Sequence, residues 1–505
     1  GAVVGCLYTR GAPFSVRDTP ETWYFQTSIP MQWCELNLHI PVNLNYLILK
    51  RGYIPIHTNT SEASRMVMGS LETGGVNYHI AVKHAPAFKD EPFITSTEDC
   101  ISKIDFELSS IRYSDKSTKS FTNTWDDLVS TLLKTDHYTE TPKKTAYLQP
   151  IAELIKLEKD TMQQLKKALE LVAANIEWDH HSTVFAREDK KKVFELRKGN
   201  VTEINLMLIS LLKQIGLKAN PVILSTRGNG QITEEYPSLD QFNYTIACVT
   251  LNGKDILLDA TEPLLKLGML PERCLNGKGR LIKETGSRFV SLAPTKKKVR
   301  MEFVNATLNS STGEMTGNVV ISKGGYEAYE GRKILKAKGE EILQNAIKKG
   351  KPEWNIKNFK IENKEDVSES LKYTYDFSFP DNVSAAVIYL NPMFSGRIES
   401  NPFTQQERLY PVDLAMGADQ TYVANITIPE EYVVEEFPKS VNIALAEDMG
   451  KFTYAMEVAG NVIKVSSRIT LNEYHFAPEQ YEMLKNFYDR IIQKQAEQVI
   501  LKKNK

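Results

Sequence analysis

The chain has 505 residues, 42% hydrophobic and 25% charged, with 62 Lys and Arg against 63 Asp and Glu for a net charge of -1. That length exceeds what one hydrophobic core serves, so two to four domains are expected. The balanced charge carries no polybasic signature and argues against nucleic acid as a partner, and no run of about 18 apolar residues is present to span a membrane.

The first residue is Gly1 rather than Met, as expected of a fragment, a processed form or a tagged chain, so an export signal could have been removed upstream. The apolar opening 2–7 is too short to be one. The cysteines are Cys6, Cys34, Cys100, Cys248 and Cys274. Their odd number and irregular spacing imply mostly buried free thiols, no disulfide framework and no metal site.

Residues 1 to about 140 read as strands. The stretches 34–40 and 76–82 alternate with period two, and 105–108 does the same, the signature of half-buried antiparallel strands. Residues 114–124 are polar and predict a loop, followed by a short helix over 125–133. The period then changes. Ile151, Leu154, Ile155, Met162, Leu165, Leu169, Val172 and Ile176 recur at helical spacing. The next helix starts at Val201, with Asn200 as N-cap and Glu203 completing a capping box. Ile204, Met207, Leu208, Leu211, Leu212 and Ile215 make it so apolar that burial on all sides is expected, and Gly216 suits the residue after its end.

Strands follow at 221–225, 242–251 and 254–258, the last two joined by Asn252-Gly253, a two-residue hairpin signal. A buried helix followed by an antiparallel hairpin predicts an α+β core. From about Val299 the strands return, at 301–308 and 316–321 around a Ser-Ser-Thr-Gly turn, then at 371–377, 421–428 and 462–471. A helical segment over 326–348 interrupts them. Such short, turn-bounded strands suggest a β-sandwich. Pro478 opens a terminal helix with a stripe of Tyr481, Leu484, Tyr488, Ile491 and Ile492.

Three middle segments carry the functional question: Arg197-Lys198-Gly199-Asn200-Val201, Asn243-Tyr244-Thr245-Ile246-Ala247-Cys248-Val249 and Leu257-Leu258-Asp259-Ala260-Thr261. Their order resembles the transglutaminase-like branch of the papain-like thiol fold. There the helix begins with a nucleophilic Cys, the strand supplies a His and the turn an Asp. A helix N-terminus lowers a thiol's pKa, the His takes its proton and the Asp holds the imidazole. The resemblance puts Val201 at the Cys position, Tyr244 at the His position and Asp259 at the Asp position. Val has no nucleophile, and a phenol with a reference pKa of about 10 is no base near neutrality. The resemblance therefore implies the fold without the covalent chemistry.

The likeness extends to Asn175-Ile176-Glu177-Trp178-Asp179, to Ala219-Asn220-Pro221, to Met269-Leu270-Pro271 and to Arg273-Cys274-Leu275-Asn276-Gly277. Trp33, Arg51-Gly52-Tyr53 and the Phe476-Ala477-Pro478 ending are similar to the β-rich domains that flank the transglutaminase-like domain in one bacterial subfamily. The implied arrangement is multidomain α+β: a β-rich domain over 1–145, expected to lack strands that longer relatives have, the transglutaminase-like domain over 146–292, and a β-sandwich with terminal helix over 293–505.

Other features have simpler readings. Tyr244 on an apolar strand is first a packing aromatic whose hydroxyl needs a partner, and Asp259 is first a turn residue. Cys248 lies on the face of Tyr244 but over ten ångströms along the strand, at about 3.3 Å per residue. Cys274, in a predicted loop, has Arg273 beside it to lower its pKa and is the leading displaced nucleophile. His180-His181 is adjacent rather than spaced for one ion. The Lys runs at 190–192 and 296–298 are solvated surface.

The expectation is a catalytically inactive protein that binds or scaffolds a peptide, protein or glycan and needs no cofactor. Trp178, Asn200, Val201, Asn243 and Tyr244 would line the old cleft. An active thiol enzyme with a displaced nucleophile and a purely structural spacer are the alternatives. An open cleft beside Val201 favours binding, and a filled one favours the spacer. Export signals common among similar proteins imply a periplasmic or cell-surface place.

Overall fold

The Asn200 cap and the apolar run behind it do form a helix, Val201–Gln214, here called the central helix. The computed structural model describes residues 4–9, 20–68, 71–113, 115–120, 124–138, 142–312, 314–380 and 386–504. Residues 1–3 of the apolar opening, 114 and 121–123 of the polar loop, and 313 of the Ser-Ser-Thr-Gly turn lie outside them. No helix among the described residues is long and apolar enough to cross a membrane.

The protein is a strand-rich α+β structure. Near the N-terminus, Met31–Pro41, Leu71–Ala85 and Thr58–Met68 form a three-stranded antiparallel sheet. It packs on a second sheet containing Lys103–Arg112 and Leu44–Arg51. The alternation read at 34–40 places Cys34, Leu36 and Leu38 against this core, while Glu35 and Asn37 are exposed.

In the middle, the central helix is buried from Val201 to Leu212, polar positions included. It lies against an antiparallel five-stranded sheet in the order Lys254–Leu258, Tyr244–Leu251, Ala219–Leu224, Lys278–Leu281, Arg288–Ser291. Asn252 and Gly253 both take positive φ, 50° and 77°, as a type I′ turn requires. The helical run read as one segment over 151–176 is two helices, Gln149–Lys156 and Thr161–Asn175, leaving Leu154 and Met162 exposed. The periodicity persists across the break because both helices turn the same kind of face to the central helix. The Trp125–Leu133 helix supplies Leu128, Val129 and Leu132 to this same core.

Toward the C-terminus the structure departs from a pair of equal sheets. One mixed sheet has eight strands, ordered Asn355–Glu362, Leu371–Pro380, Glu314–Gly324, Lys298–Asn309, Ala418–Thr427, Val462–Leu471, Gly450–Ala459, Val441–Ala444. Lys298–Asn309 and Ala418–Thr427 run parallel. Its inner face packs on a small sheet of Val387–Leu390, Val499–Lys503 and Tyr432–Glu436 and on the terminal helix Tyr481–Ala496, through Leu390, Leu501, Leu484 and Ile491. The asymmetry has a chain-length reason: the small-sheet strands are 4 and 5 residues long. The expected helix over 326–348 is two helices, Gly325–Lys338 and Glu341–Gly350, separated at Gly339, whose φ of 75° ends the first.

One side chain joins elements from distant parts of the chain. Asp413 Oδ1 accepts from Arg227 Nη1 at 2.9 Å and from the Ala415 amide at 2.8 Å. Its Oδ2 accepts from Thr95 Oγ1 at 3.0 Å, and its own amide donates to the Phe93 carbonyl at 2.7 Å. Removing that carboxylate leaves the nearly buried Arg227 guanidinium unpaired. Asp413→Ala should lower stability by roughly 1–3 kcal/mol and speed proteolytic cleavage near residue 93. An unchanged melting temperature and digestion pattern would rule this junction out.

Candidate functional site

The N-terminus of the central helix is tightly specified. Asn200 Oδ1 accepts from the Glu203 amide at 2.9 Å, and Glu203 Oε2 accepts from the Asn200 amide at 2.7 Å. Such a box contributes about 1 kcal/mol. Glu203 Oε1 also takes the amides of Arg187 and Glu188, each at 2.7 Å, which accounts for a buried carboxylate. The next amide, that of Val201, donates to the His181 carbonyl at 3.3 Å. Thus the helix end that would polarise a thiol is occupied by backbone.

Val201 is completely buried and packs in one apolar cluster with Tyr244, Cys274, Leu275, Tyr326 and Met416. Tyr244 opens the inner strand and is also completely buried. Its hydroxyl donates to Asp259 Oδ2 at 2.8 Å, lies 3.0 Å from Thr261 Oγ1, and accepts from Arg273 Nε at 3.0 Å and Nη2 at 2.8 Å. Burial raises the phenol's pKa, and the neighbouring Asp259 carboxyl raises it further. Tyr244 therefore stays a neutral donor near neutrality.

Asp259 is 3% exposed. Its Oδ1 accepts from Asn205 Nδ2 at 3.0 Å, from the Thr261 amide at 3.0 Å and from Thr261 Oγ1 at 2.8 Å. Arg273 Nη2 stands 3.6 Å from Oδ2. Asn205, one turn along the central helix from Val201, also donates to the Thr245 carbonyl at 3.0 Å and accepts from the Ala260 amide at 2.9 Å. One side chain thus ties helix, strand and turn together. Nearby, Thr202 Oγ1 bonds the Thr183 carbonyl at 2.6 Å and Thr245 Oγ1 at 2.9 Å.

Arg273 closes the arrangement. Besides Tyr244 it donates to Thr261 Oγ1 at 2.8 Å and to Glu262 Oε1 at 2.6 Å. Its guanidinium carbon lies 4.4 Å from the Trp178 ring centre and 5.4 Å from that of Tyr244, so it stacks between elements as a cation on two aromatic faces. Burial opposes its charge, but the Asp259 and Glu262 carboxylates around it outweigh that.

The sequence-derived triad positions do come together: Tyr244 and Asp259 are hydrogen-bonded, and Val201 shares their cluster. The expected cleft does not open there. Asn200, Val201 and Tyr244 have no exposed surface. Trp178 is half-buried and Asn243 bonds the Thr226 amide and hydroxyl, both at 2.9 Å. The reading of Cys274 needs correction. It is fully buried, and burial, then Asp259, raises its pKa well above the ordinary thiol value, outweighing Arg273. Cys248 is buried too, its thiol pushed up to about 12, chiefly by burial. His181 uses its carbonyl on Trp178 Nε1 and Val201 and its amide on Asp179.

Sequence reasoning passed over Asn205 and assigned Arg273 to the wrong neighbour. The signal for Asn205 was present: an amide four residues after Val201, in the middle of the apolar run Ile204 to Ile209. Arg273 carried no such signal, because its partners lie 11 to 29 residues away.

Comparison with known proteins agrees with this fold. Residues 386–501, less than half of the chain, match a family described as a domain of unknown function with a solved structure, DUF3858. No curated protein matches the sequence. A crystal structure of a proposed protease from Parabacteroides distasonis is similar over 95% of this chain and 74% of its own, with 12% identity and a TM-score of 0.52. A proposed cysteine protease from Cytophaga hutchinsonii is aligned over 54% of this chain and 83% of its own, with 12% identity and a TM-score of 0.21. At that identity the first likeness shows a shared fold.

Tyr244→Phe keeps the ring but removes the hydroxyl from Asp259 and Arg273, and should cost roughly 1–3 kcal/mol. The raised phenol pKa means that this contribution is full below about 10, the free-phenol value, and is lost only as pH rises past it. Alkaline absorbance titration should show the same tyrosinate signal in both proteins until unfolding. An extra group titrating in the folded native protein would contradict the placement of Tyr244.

Proposed function

We propose that this chain is a catalytically inactive transglutaminase-like protein whose former active centre has become a structural node, and that it works as a scaffold or binding protein for a peptide, protein or glycan through other surfaces. The observation that carries this reading is the completely buried Val201 at the start of the central helix. It stands next to a Tyr244 whose hydroxyl is fully engaged with Asp259 and Arg273. A nucleophile, a base and an access route are all required for acyl transfer, and this position offers none of them. The filled position favours the purely structural spacer over ligand binding at the old centre, so a binding role would have to use other surfaces. The division at residues 145 and 292 into a β-rich part, a transglutaminase-like part and a C-terminal β-rich part goes with this proposal.

An active enzyme with a displaced nucleophile is the competing reading. It would need Cys274 or Cys248 as a thiolate, and both are buried with raised pKa values. Iodoacetamide at neutral pH, read by mass spectrometry, should label exposed Cys6 and leave Cys274 and Cys248 unmodified until denaturation. Purified protein should hydrolyse or crosslink no amide substrate. Rapid labelling of either buried thiol, or amidase activity that such labelling abolishes, would overturn the proposal. Val201→Cys should fold and remain unlabelled, since its thiol would sit in the same sealed cluster.

A further inference from the structure

A second polar constellation lies in the C-terminal part, and it does not rest on the reading of the central helix. The inner face of the eight-stranded sheet is apolar along most of its strands' length, then changes abruptly at one end of its central strands. On three neighbouring strands, register puts Glu302 opposite Tyr422 and Tyr422 opposite Ser467. The next row toward the sheet end is Arg300, Gln420 and Ile469. The row on the other side, Val304, Ala424 and Val465, is wholly apolar and buried. Polar side chains therefore replace core residues at inward positions where the pattern calls for hydrophobes.

These groups line a half-open cavity of about 230 Å³ together with residues 395–398, Glu327 and Gln495. Glu302 is 1% exposed; Arg300 Nη2 donates to it at 2.7 Å and the Ser395 hydroxyl also bonds it. Gln495, likewise 1% exposed, donates to Ser467 Oγ at 3.0 Å and accepts from the Ile398 amide at 2.9 Å. Burying an ion pair where apolar residues would pack is often neutral or unfavourable to stability, so such a departure from the pattern marks a candidate site.

The lining also limits the ligand. Arg300 and Arg397 are offset by Glu302 and Glu327, so the walls have no net formal charge but present donors and acceptors of both kinds. Glu327 is further held by Lys323 at 3.0 Å, and Arg397 reaches Glu399 at 3.5 Å. A net ion gains little from such walls. A neutral molecule whose adjacent hydroxyls both donate and accept can bond to Gln420 and to the partly exposed Arg300 and Arg397. The volume is several times the ~30 Å³ of one water and falls below the ~300–1,000 Å³ of larger ligand sites, which suits one ring. The geometry points to a binding site for a single neutral sugar ring, free or at the end of a glycan, at the end of the central strands framed by Arg300, Glu302, Arg397 and Gln420.

Saturation-transfer NMR and calorimetry on the full chain test this with glucose, galactose and N-acetylglucosamine, a disaccharide of each, and glutamate and inorganic phosphate as charged comparisons. At least one neutral sugar should bind saturably. Arg397→Ala and Gln420→Ala, at partly exposed positions that carry little of the fold, should each weaken it roughly tenfold with the melting temperature unchanged. A disaccharide binding more tightly identifies a glycan end, and one binding more weakly identifies a free monosaccharide. Absence of saturable binding by all six sugars overturns the assignment. So does binding of glutamate or phosphate alone, or sugar binding that both variants retain in full.

Discussion

A carboxyl group at Asp259 with almost no contact with solvent constrains the middle of this protein more than any other feature. An acidic group in that setting costs several kcal/mol unless its oxygens are satisfied. Here they are satisfied by four segments at once: the central helix through Asn205, the inner strand through Tyr244, the turn through Thr261 and the following loop through Arg273. Those segments can converge in few ways. The five-stranded sheet, the orientation of the central helix against it and the stacking of Arg273 on Trp178 follow from that demand, with apolar burial supplying most of the driving force.

Local chemistry made much of this legible in the sequence. The Asn200 cap, its box with Glu203, the Asn252-Gly253 turn and the all-round hydrophobicity of the central helix are signals within a few residues of one another, and the structure realises each of them. The terminal helix was legible for the same reason. What the sequence hid was long-range. Whether Val201 lined an opening or a sealed cluster depended on Tyr326 and Met416, more than a hundred residues away. The fate of Cys274 depended on burial, which outweighs the adjacent Arg273 and cannot be read from neighbours in the chain. The breaks near residues 157 and 339 were hidden because apolar periodicity continues across them.

The two polar clusters differ in a way that separates structural from functional use of buried charge. Around Asp259 the donors and acceptors are turned on one another, with Arg273 at their edge bordering a cavity. At the strand ends beside Glu302 a comparable set itself lines a half-open cavity. The first arrangement gains rigidity from complete mutual satisfaction. The second is also paired within its walls, through Arg300 to Glu302 and Gln495 to Ser467, but it borders open space that a small polar molecule can enter.

Arg273 also bears on what a thiol and an imidazole could do at positions 201 and 244. An imidazole placed at 244 would meet the guanidinium N–H groups that now point at the phenol oxygen. Its accepting nitrogen would be tied up by them, and its protonated form would face a like charge. A cysteine at 201 would find neither a base nor a free helix-end amide, since that amide already serves the His181 carbonyl. Neither substitution alone therefore makes a reactive thiol here: the guanidinium that secures the Asp259 cluster also decides which side chains positions 201 and 244 can put to chemical use.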